Sequence, residues 1–467
     1  MSTFSGLTTA LSGIVAQRYG LDTTGANVAN ANTPGYSRQR VVMEPQNPAT
    51  TGTALFSRWD GPGTGVQVTD IQRVSDELVT ARVRQERSTA EFMSVDAAAW
   101  DRLEVALGEP GDTGLTARLS GLGGFWPSLQ DLANNPDSTA ARSQVLQAGA
   151  GITDTLGQIA TNVAQAWTDQ RGGLDLLVHE VNATAASIAD LNRSIRDAAA
   201  GGSTPNELLD QRDALVQRLS ELTGGTVRSG ELGTVDVFVG GTAIVRGERA
   251  TALAVDPGAA GTVAAAQAGG TVGLTGRSGA GIDVPGGKIG ATLVALTSTW
   301  PGVMSSLDAT AAGLAATVNA VHAAGKGLDG VSGRPFFTGT TARDLRVAIT
   351  DPTQVAAAAA GAGALDGSHA DALAALGRGP SSPDADWRAF VSDVGSQSQA
   401  ATRRSGAQAV VVGDVMAARE AVSGVDIDEE LTNMIMFQRA YEGAARMLTA
   451  VDQALDTLIN RTGLVGR

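Results

Sequence analysis

The side chains that catalyse reactions or bind metals are few in this sequence and poorly spaced for either task. Cysteine is absent, which removes thiol nucleophiles, disulfides and cysteine-based zinc sites. The three histidines, His179, His322 and His369, have no spacing that would place two of them as ligands on one helix face. We therefore predict no catalytic residues, no cofactor and no metal ion, and interpret the histidines as ordinary polar or partly buried side chains.

Two glycine-rich segments and one acidic cluster come closest to known binding motifs. Gly286-Gly287-Lys288-Ile289 has the Gly-Lys pair of a phosphate loop, but isoleucine stands where Ser or Thr would bind magnesium, so we predict a turn before a helix. In the segment 61–65, proline blocks the helix-opening geometry of a dinucleotide-binding fingerprint. The four acidic residues between Asp426 and Glu430 lack the spacing of an EF-hand loop, and they fit a helix start, where the helix dipole favours negative charge.

Composition excludes two further classes of partner. Lys and Arg total 34 against 48 Asp and Glu, so the formal net charge is −14, and we predict no nucleic-acid binding. No stretch approaches the roughly 20 apolar residues of a membrane span, so we predict no membrane insertion. The first 20 residues lack the positive region and continuous apolar core of a secretory signal peptide.

Both ends of the chain carry apolar residues at alternating spacings of three and four, the pattern of a coiled-coil helix. The first pattern runs from Phe4 to Val28, and the second lies in a predicted helix over about 427–461 that starts at an Asp426-x-x-Glu429 capping box. Neither helix can bury its apolar stripe alone, so each needs a partner. We call these residues the assembly seam: Leu7, Leu11, Ile14, Leu21, Met434, Phe437, Tyr441, Leu448, Val451, Leu455 and Leu458.

Between the two ends the pattern changes from helical to extended and back to helical. Helical spacing of apolar residues predicts helices over 152–195, 206–222, 293–321 and from Trp387 towards Ala421. Alternation around Gly240-Gly241 predicts a hairpin of 235–239 with 243–245, followed by strands at 252–255 and 345–349. The segment 361–383, rich in Ala, Gly and Ser, is typical of a mobile loop.

The order of these elements predicts the fold class and the domains. We expect a mainly α fold with an inserted β domain: terminal coiled-coil-like helices, a helical-bundle middle layer and a small β-rich outer domain. The inner, axial domain is predicted at 1–45 and 426–467. The bundle is predicted at 46–222 with about 288–330 and 384–425, and the outer domain at about 225–287 with 331–383.

One segment after the N-terminal helix is more specific than an ordinary helix exit. Its Pro-Gly pair suits the centre of a type II turn, because proline sets φ near −65° and glycine accepts a positive φ. Its asparagines can bond to backbone groups where the helix ends. The residues of this motif are Asn27, Asn30, Asn32, Thr33, Pro34, Gly35, Tyr36, Ser37, Arg38 and Gln39.

The segment ANANTPGYSRQ, at 29–39, resembles the N-terminal signature of the bacterial flagellar axial proteins, the rod, hook and hook-associated group. Its ending, TPGYSRQ, is similar to the form in the hook-associated protein 1 family, whose members join the hook to the filament. Two further segments agree with this resemblance: NELLDQRD at 206–213, and the stretch that begins SGVDIDEELTNMIMFQRAYEGAARML at Ser423.

The resemblance implies a structural protein of the flagellum and not an enzyme. It implies that copies form a ring between hook and filament and template filament assembly, with the terminal helices lining an axial channel. The implied partners are further copies of this chain, the hook protein, the second junction protein of the hook-associated group, and an export chaperone, for which we nominate Met434 to Leu458 as the binding segment. It also implies an extracellular location on the flagellum, reached through the flagellar type III pathway without a cleaved signal peptide, with terminal helices that order only on assembly.

Three alternatives stay open at the level of sequence. The nearest is another axial protein, such as hook or distal rod protein, although these usually differ at Pro34 and lack the long helical layer. A secreted adhesin would use the central β domain but would not explain the paired stripes at both ends. A flagellum-associated cell-wall hydrolase would need paired carboxylates or a nucleophile with its base, and we find no such set.

Overall fold

The structure, a computed structural model, describes residues 3–46 and 65–461. The predicted features at 61–64 and 462–467 and the side chain of Phe4 lie outside the described part of the chain. Within it the fold is mainly helical with small antiparallel sheets, which confirms the predicted fold class. Among residues 3–46 and 65–461, none of the helices combines the length and the hydropathy of a membrane span.

Helices form most of the described chain, and their bounds follow the apolar periodicity and the capping residues. Ser138, for example, caps the longest of them by accepting a hydrogen bond from the Ala141 amide. The helices are α1 (Thr3–Asn30), α2 (Glu77–Leu107), α3 (Leu115–Ser120), α4 (Phe125–Asn134), α5 (Thr139–Ala200), α6 (Asn206–Thr223), α7 (Val263–Gln267), α8 (Gly287–Val294), α9 (Trp300–His322), α10 (Ser368–Ala375), α11 (Pro383–Ser423) and α12 (Ile427–Asp456).

The strands are short and pair only with antiparallel neighbours. A hairpin of β1 and β2 follows α1, and the predicted hairpin around Gly240-Gly241 forms the centre of a four-stranded meander, β3 to β6. The strands are β1 (Gln39–Pro45), β2 (Val66–Arg73), β3 (Thr226–Ser229), β4 (Val235–Val239), β5 (Thr242–Arg246), β6 (Arg249–Ala250), β7 (Leu253–Val255), β8 (Leu274–Gly276), β9 (Gly281–Ile282), β10 (Gly325–Lys326), β11 (Phe337–Thr338), β12 (Arg346–Val347) and β13 (Ala358–Ala359).

The hydrophobic core lies in a body built on α5, a helix of 62 residues and about 90 Å. Trp167 of α5 and Trp300 of α9 are fully buried there, and the Trp167 indole donates a hydrogen bond to the Leu296 carbonyl. Helix α2 packs along α11, and α1 packs along α12. The α1–α12 pair contributes little to the core: within the described part of α12 only Glu430 is buried.

Several predicted elements need correction. The segment 361–383 is not simply a mobile loop, because it contains α10, whose Ala370, Leu373 and Ala374 are buried at helical spacing against α4 and α9. The strand predicted at 345–349 is only the two residues of β12. The helix predicted at 293–321 is longer, since α8 continues through a π-helical turn at Ala295–Thr299 into α9. The predicted domain boundaries stay a prediction.

Candidate functional site

The residues of the Asn- and Pro-Gly-containing motif form the turn that the sequence predicts. The Tyr36 amide donates to the Thr33 carbonyl at 3.1 Å, and Gly35 between them has φ +86°. A positive φ at this position costs little for glycine and is strained for other residues. Before the turn, the Asn30 side-chain amide donates back to the Ala26 carbonyl at 3.0 Å and so satisfies one of the last acceptors of α1.

Asn27 is the centre of the polar contacts around this turn. Its side chain is 1% exposed, and its amide uses its full hydrogen-bonding capacity. The Nδ2 atom donates to the Gln39 carbonyl at 2.8 Å and to Glu430 Oε2 at 3.0 Å. The Oδ1 atom accepts from the Tyr36 hydroxyl at 2.8 Å and from the Gln39 amide at 2.9 Å. One side chain therefore joins the end of α1, the turn, the start of β1 and the first turn of α12.

Arg38 makes the second link between the motif and α12. Its Nε donates to Glu430 Oε1 at 2.8 Å, and its two terminal nitrogens bind both oxygens of Glu429 at 2.6 and 3.1 Å. The hydrogen bond with Glu429 and the charge of Glu430 raise the pKa of Arg38 above its usual value. Glu430 is 2% exposed, so this carboxylate is buried and neutralised by a guanidinium and an amide, the arrangement that a buried charge requires.

The segment NELLDQRD at the start of α6 provides the opposite side of the same site. Asp210 accepts from the Ser37 amide at 3.2 Å and from Arg73 Nη1 at 2.7 Å. Arg73 also contacts Asp213 at 3.0 Å. Asn206 donates to the Ile71 carbonyl at 2.6 Å and to Gln39 Oε1 at 3.2 Å. The body thus holds both strands of the β1–β2 hairpin and the turn that precedes it.

We call this set of contacts the clasp: Asn27, Tyr36, Ser37, Arg38, Gln39, Arg73, Asn206, Asp210, Asp213, Glu429 and Glu430. Burial, with the nearby negative charges of Asp210 and Glu430, raises the pKa of Tyr36 to about 12, so its phenol stays neutral and keeps donating to Asn27. The charged groups described above are paired with one another, which suits a joint between the α1–α12 pair and the body.

Helices α1 and α12 meet through small residues on α1. A β-carbon added to Gly13 would lie 3.6 Å from the Ala444 β-carbon, and one added to Gly6 would lie 3.5 Å from Val451. At Gly20 a β-carbon would lie only 2.6 Å from the Phe437 ring, so glycine is needed for this close approach. Sequence reasoning missed this stripe, although the signal was present as glycine at intervals of seven residues.

The predicted assembly seam lies beside this contact and is only partly covered. On α1, Leu11 is 53% exposed, while Leu7, Ile14 and Leu21 are half-buried. On α12, Phe437 and Val451 reach the glycines of α1, while Tyr441 is exposed, as is Leu458 in the π-helical turn (Thr457–Arg461) that follows α12. The half-buried remainder of the seam on α12 is Met434, Leu448 and Leu455. A role of these side chains in packing between copies stays a prediction.

The other candidate residues have structural roles. His322 is buried, its Nδ1 donates to the Arg334 carbonyl at 2.8 Å, and its Nε2 accepts from the Ala356 amide at 2.9 Å. Burial lowers the pKa of His322 to about 4, so the ring is neutral. Gly286 precedes α8, as predicted for a turn before a helix. Asp426 caps α12 by accepting from two backbone amides, which confirms the predicted helix start.

In the part of the chain that the structure describes, no three His, Asp or Glu side chains are grouped to hold a metal ion. The motif residues Asn32, Thr33 and Pro34 are exposed, and within the clasp the motif contributes Asn27 and the run from Tyr36 to Gln39. Sequence reasoning singled out the motif half of the clasp and noted 206–213 as a family resemblance. It interpreted Glu429 and Glu430 only as a helix start, and it missed Arg73.

Family models match three parts of the chain. Residues 100–337 match the helical domain of the flagellar hook-associated protein FlgK, 419–461 match the C-terminal domain of the flagellar basal body rod FlgEFG proteins, and 7–36 match the flagella basal body rod protein family. The first match covers about half of the chain.

Curated relatives match over nearly the whole length. The flagellar hook-associated protein 1 of Bacillus subtilis (strain 168) is 32% identical over 514 aligned positions, covering 100% of both chains. The protein of the same name from Escherichia coli (strain K12) is 24% identical, covering 97% of this chain and 98% of the relative. Among solved structures, the flagellar hook junction protein FlgK from Burkholderia pseudomallei superimposes with a TM-score of 0.62 at 15% identity. That alignment covers 73% of this chain and 100% of the other, and it supports the fold.

Proposed function

Because this chain belongs to the flagellar hook-associated protein 1 family, we propose that its copies form the ring between hook and filament, with the α1–α12 pair on the axis and the body outside it. Members of this family are structural proteins of the flagellum, so the chain is a structural component of the hook–filament junction and not an enzyme. It is part of the flagellum and assembles into the hook–filament axis with other flagellar proteins.

The observation that carries the ring proposal is the uncovered apolar surface of the α1–α12 pair. The two helices pack against each other, yet Leu11, Ile435, Met436 and Met447 are all close to half exposed or more. Exposed apolar side chains in this number favour an interaction site, because burying apolar surface releases about 25 cal/mol per Å². Further copies packed around the same axis would cover it.

The clasp supports the proposed arrangement of axis and outer body, because it holds the α1–α12 pair at a set position on the body. Hydrogen bonds that involve ionised groups are about twice as strong as neutral ones, and the clasp has several, from Arg38 to Glu429 and Glu430 and from Arg73 to Asp210 and Asp213. In a rotating filament, this joint transmits load between the axial helices and the outer body.

The proposal also includes the individual proteins that this chain contacts. One face of the ring meets the hook protein, and the opposite face templates the second junction protein of the hook-associated group and then the filament. Before export, a chaperone covers Met434 to Leu458, whose exposed apolar side chains would otherwise promote aggregation. The chain leaves the cell by the flagellar type III pathway, and the absence of cysteine suits passage as an unfolded chain.

Deletion and complementation in a motile strain of the source organism test this function. The deletion should leave hooks intact while flagellin escapes into the medium, and normal filaments on the deletion strain would refute the junction role. Complementation with Glu430→Ala, which removes the buried carboxylate of the clasp, should restore filaments poorly. The matched control is Arg18→Ala, which removes an exposed ion pair with Asp22 on the same helix pair and should restore filaments fully.

A further inference from the structure

The contacts between α1 and α12 recur at intervals of seven residues on both helices. Each step of seven towards the C-terminus on α1 is matched by a step of seven towards the N-terminus on α12, as expected for an antiparallel pair. The contacting pairs are Gly6 with Val451, Gly13 with Ala444, Gly20 with Phe437 and Asn27 with Glu430.

The Gly6 and Gly13 contacts distinguish poorly between this alignment and one shifted by seven residues. Seven residues are close to two helical turns, so such a shift keeps the same faces in contact. It would place Gly13 opposite Val451 and Gly20 opposite Ala444. Both new contacts would fit. Val451 already faces a glycine, Gly6, in the structure, and Ala444 is smaller than the Phe437 ring that Gly20 now faces.

The chain connections do not forbid the shift either. A displacement of seven residues along a helix is about 10 Å. The segment from Ala31 to Arg38, which joins α1 to β1, is folded into turns, and eight residues can extend to about 26 Å. Withdrawal of α1 along α12 by one repeat is therefore within the reach of this connection once the clasp opens.

The fourth contact is different, because it is polar and buried. After the shift, Asn27 would face the Phe437 ring, and Glu430 would lose the Asn27 amide. Both side chains are nearly inaccessible, at 1% and 2% exposure, and buried polar groups that lose their partners are strongly destabilising. In coiled coils, a single buried polar residue at a core position is known to fix the register of the helices.

We propose that the Asn27–Glu430 contact fixes the register of α1 against α12, and so sets how far α1 extends along α12. Gly6 and Gly13 supply close packing without a preferred alignment, whereas the fit of the Phe437 ring to Gly20 favours the observed one. The polar contact, together with Arg38 on the other oxygen of Glu430, adds the cost of leaving a buried carboxylate without its partners.

Cysteine pairs can report the register, because the chain has no cysteine of its own. Gly13→Cys with Ala444→Cys reports the observed alignment, since the β-carbons would be 3.6 Å apart, within the range of a disulfide. Gly13→Cys with Val451→Cys reports the shifted alignment, since residue 451 lies about 10 Å further along α12 and is out of reach in the observed one.

Each cysteine pair is placed in the full chain with the native contact, with Asn27→Gly/Glu430→Leu, and with Arg18→Ala/Asp22→Ala as the exposed control. The second of these, called the leucine variant, removes the polar contact and offers Phe437 a glycine in the shifted alignment. Disulfide yields are read by non-reducing electrophoresis and peptide mass spectrometry. The native and control chains should form the 13–444 disulfide and almost none between 13 and 451. In the leucine variant the ratio of the 13–451 to the 13–444 product should rise about tenfold or more, since hydrogen bonds to a buried charge are lost.

Two results would overturn the proposal: equal yields of both disulfides in the native chain, or exclusive 13–444 disulfide in the leucine variant. Amide protection of α5 shows whether the body of each variant is folded. If the leucine variant does not fold, Asn27→Gly, which removes the amide and leaves Glu430 paired with Arg38, takes its place and should raise the ratio in the same direction. An unchanged ratio in a folded Asn27→Gly chain would also refute the proposal.

Discussion

Asp210→Ala should release the β1–β2 hairpin and the motif turn from the body. The Asp210 carboxylate is almost buried and accepts from Arg73 at 2.7 Å and from the Ser37 amide at 3.2 Å. Each hydrogen bond to a charged group contributes about 1.5–3 kcal/mol, and Arg73 keeps Asp213 after the substitution. We therefore expect a local loss of about 3 kcal/mol, which is about a hundredfold in the opening equilibrium.

Hydrogen exchange of the folded chain measures this opening directly, because the exchange rate of a protected amide reports the population of its open state. Amides at residues 36–39 and 71–73 should exchange about a hundredfold faster in Asp210→Ala. The matched control is Asp213→Ala, whose carboxylate is one-third exposed and shares the same arginine, so the expected acceleration is only about fivefold.

The buried tryptophans, Trp167 and Trp300 among them, lie in the core of the body and not in the clasp. Their fluorescence should therefore show nearly the same urea midpoint in both variants. Equal acceleration in Asp210→Ala and Asp213→Ala would refute the reasoning that burial makes Asp210 the dominant partner. A large shift of the tryptophan transition would show instead that the clasp and the body unfold as one unit.

Three further predictions address the helix pair and the body. Gly20→Val should lower the yield of the 13–444 disulfide severalfold, because a β-carbon would lie 2.6 Å from the Phe437 ring. The control Gly25→Val, where a β-carbon would have no atom within 4 Å, should leave the yield nearly unchanged. Equal effects of the two substitutions would contradict the close-packing argument. His322 has a pKa of about 4 in the fold against 6.5 ordinarily, so the unfolded chain binds the proton first as the pH falls. The free energy of unfolding should therefore drop between pH 6.5 and 4, by up to about 3 kcal/mol. The urea midpoint of His322→Gln should lack this dependence on pH, and an identical dependence would refute the assignment. In the purified monomer, amides at 3–35 and 432–461 should exchange much faster than those of α5, because the exposed apolar face of α1 and α12 has no neighbouring copy to cover it. Uniform protection of both ends would contradict ordering on assembly.

Features that depend on neighbouring residues in the chain were predictable. The turn at Pro34-Gly35 follows from the φ values that these two residues prefer, and the start of α12 follows from the capping capacity of Asp426. The long helices follow from apolar periodicity over many turns. The error at 361–383 arose because a short helix rich in alanine resembles a loop in composition, and burial against α4 and α9 stabilises it.

The partners within the clasp were not predictable in the same way. Asn27 and Glu430 are 403 residues apart, and no local rule relates an asparagine at the end of one helix to a glutamate in the first turn of another. The contact stripe of α1 was missed for a different reason. Glycine is usually interpreted as a helix breaker, so the pattern of Leu7, Leu11 and Leu21 was taken as the contact face of α1. The close approach of α12 instead requires the smallest residues, Gly13 and Gly20 among them.

The sequence by itself determined that helices with one apolar face each lie near both ends of this chain, and that a turn follows the first helix. Those properties reside in residue types and short spacings, which act before any long-range contact forms. Only the tertiary structure decided which face of α1 meets α12, in which register, and that Asn27, Arg38 and Asp210 join the helix pair to the body. These choices depend on close packing and on the burial of charge between segments hundreds of residues apart, and such energies exist only once the chain has folded.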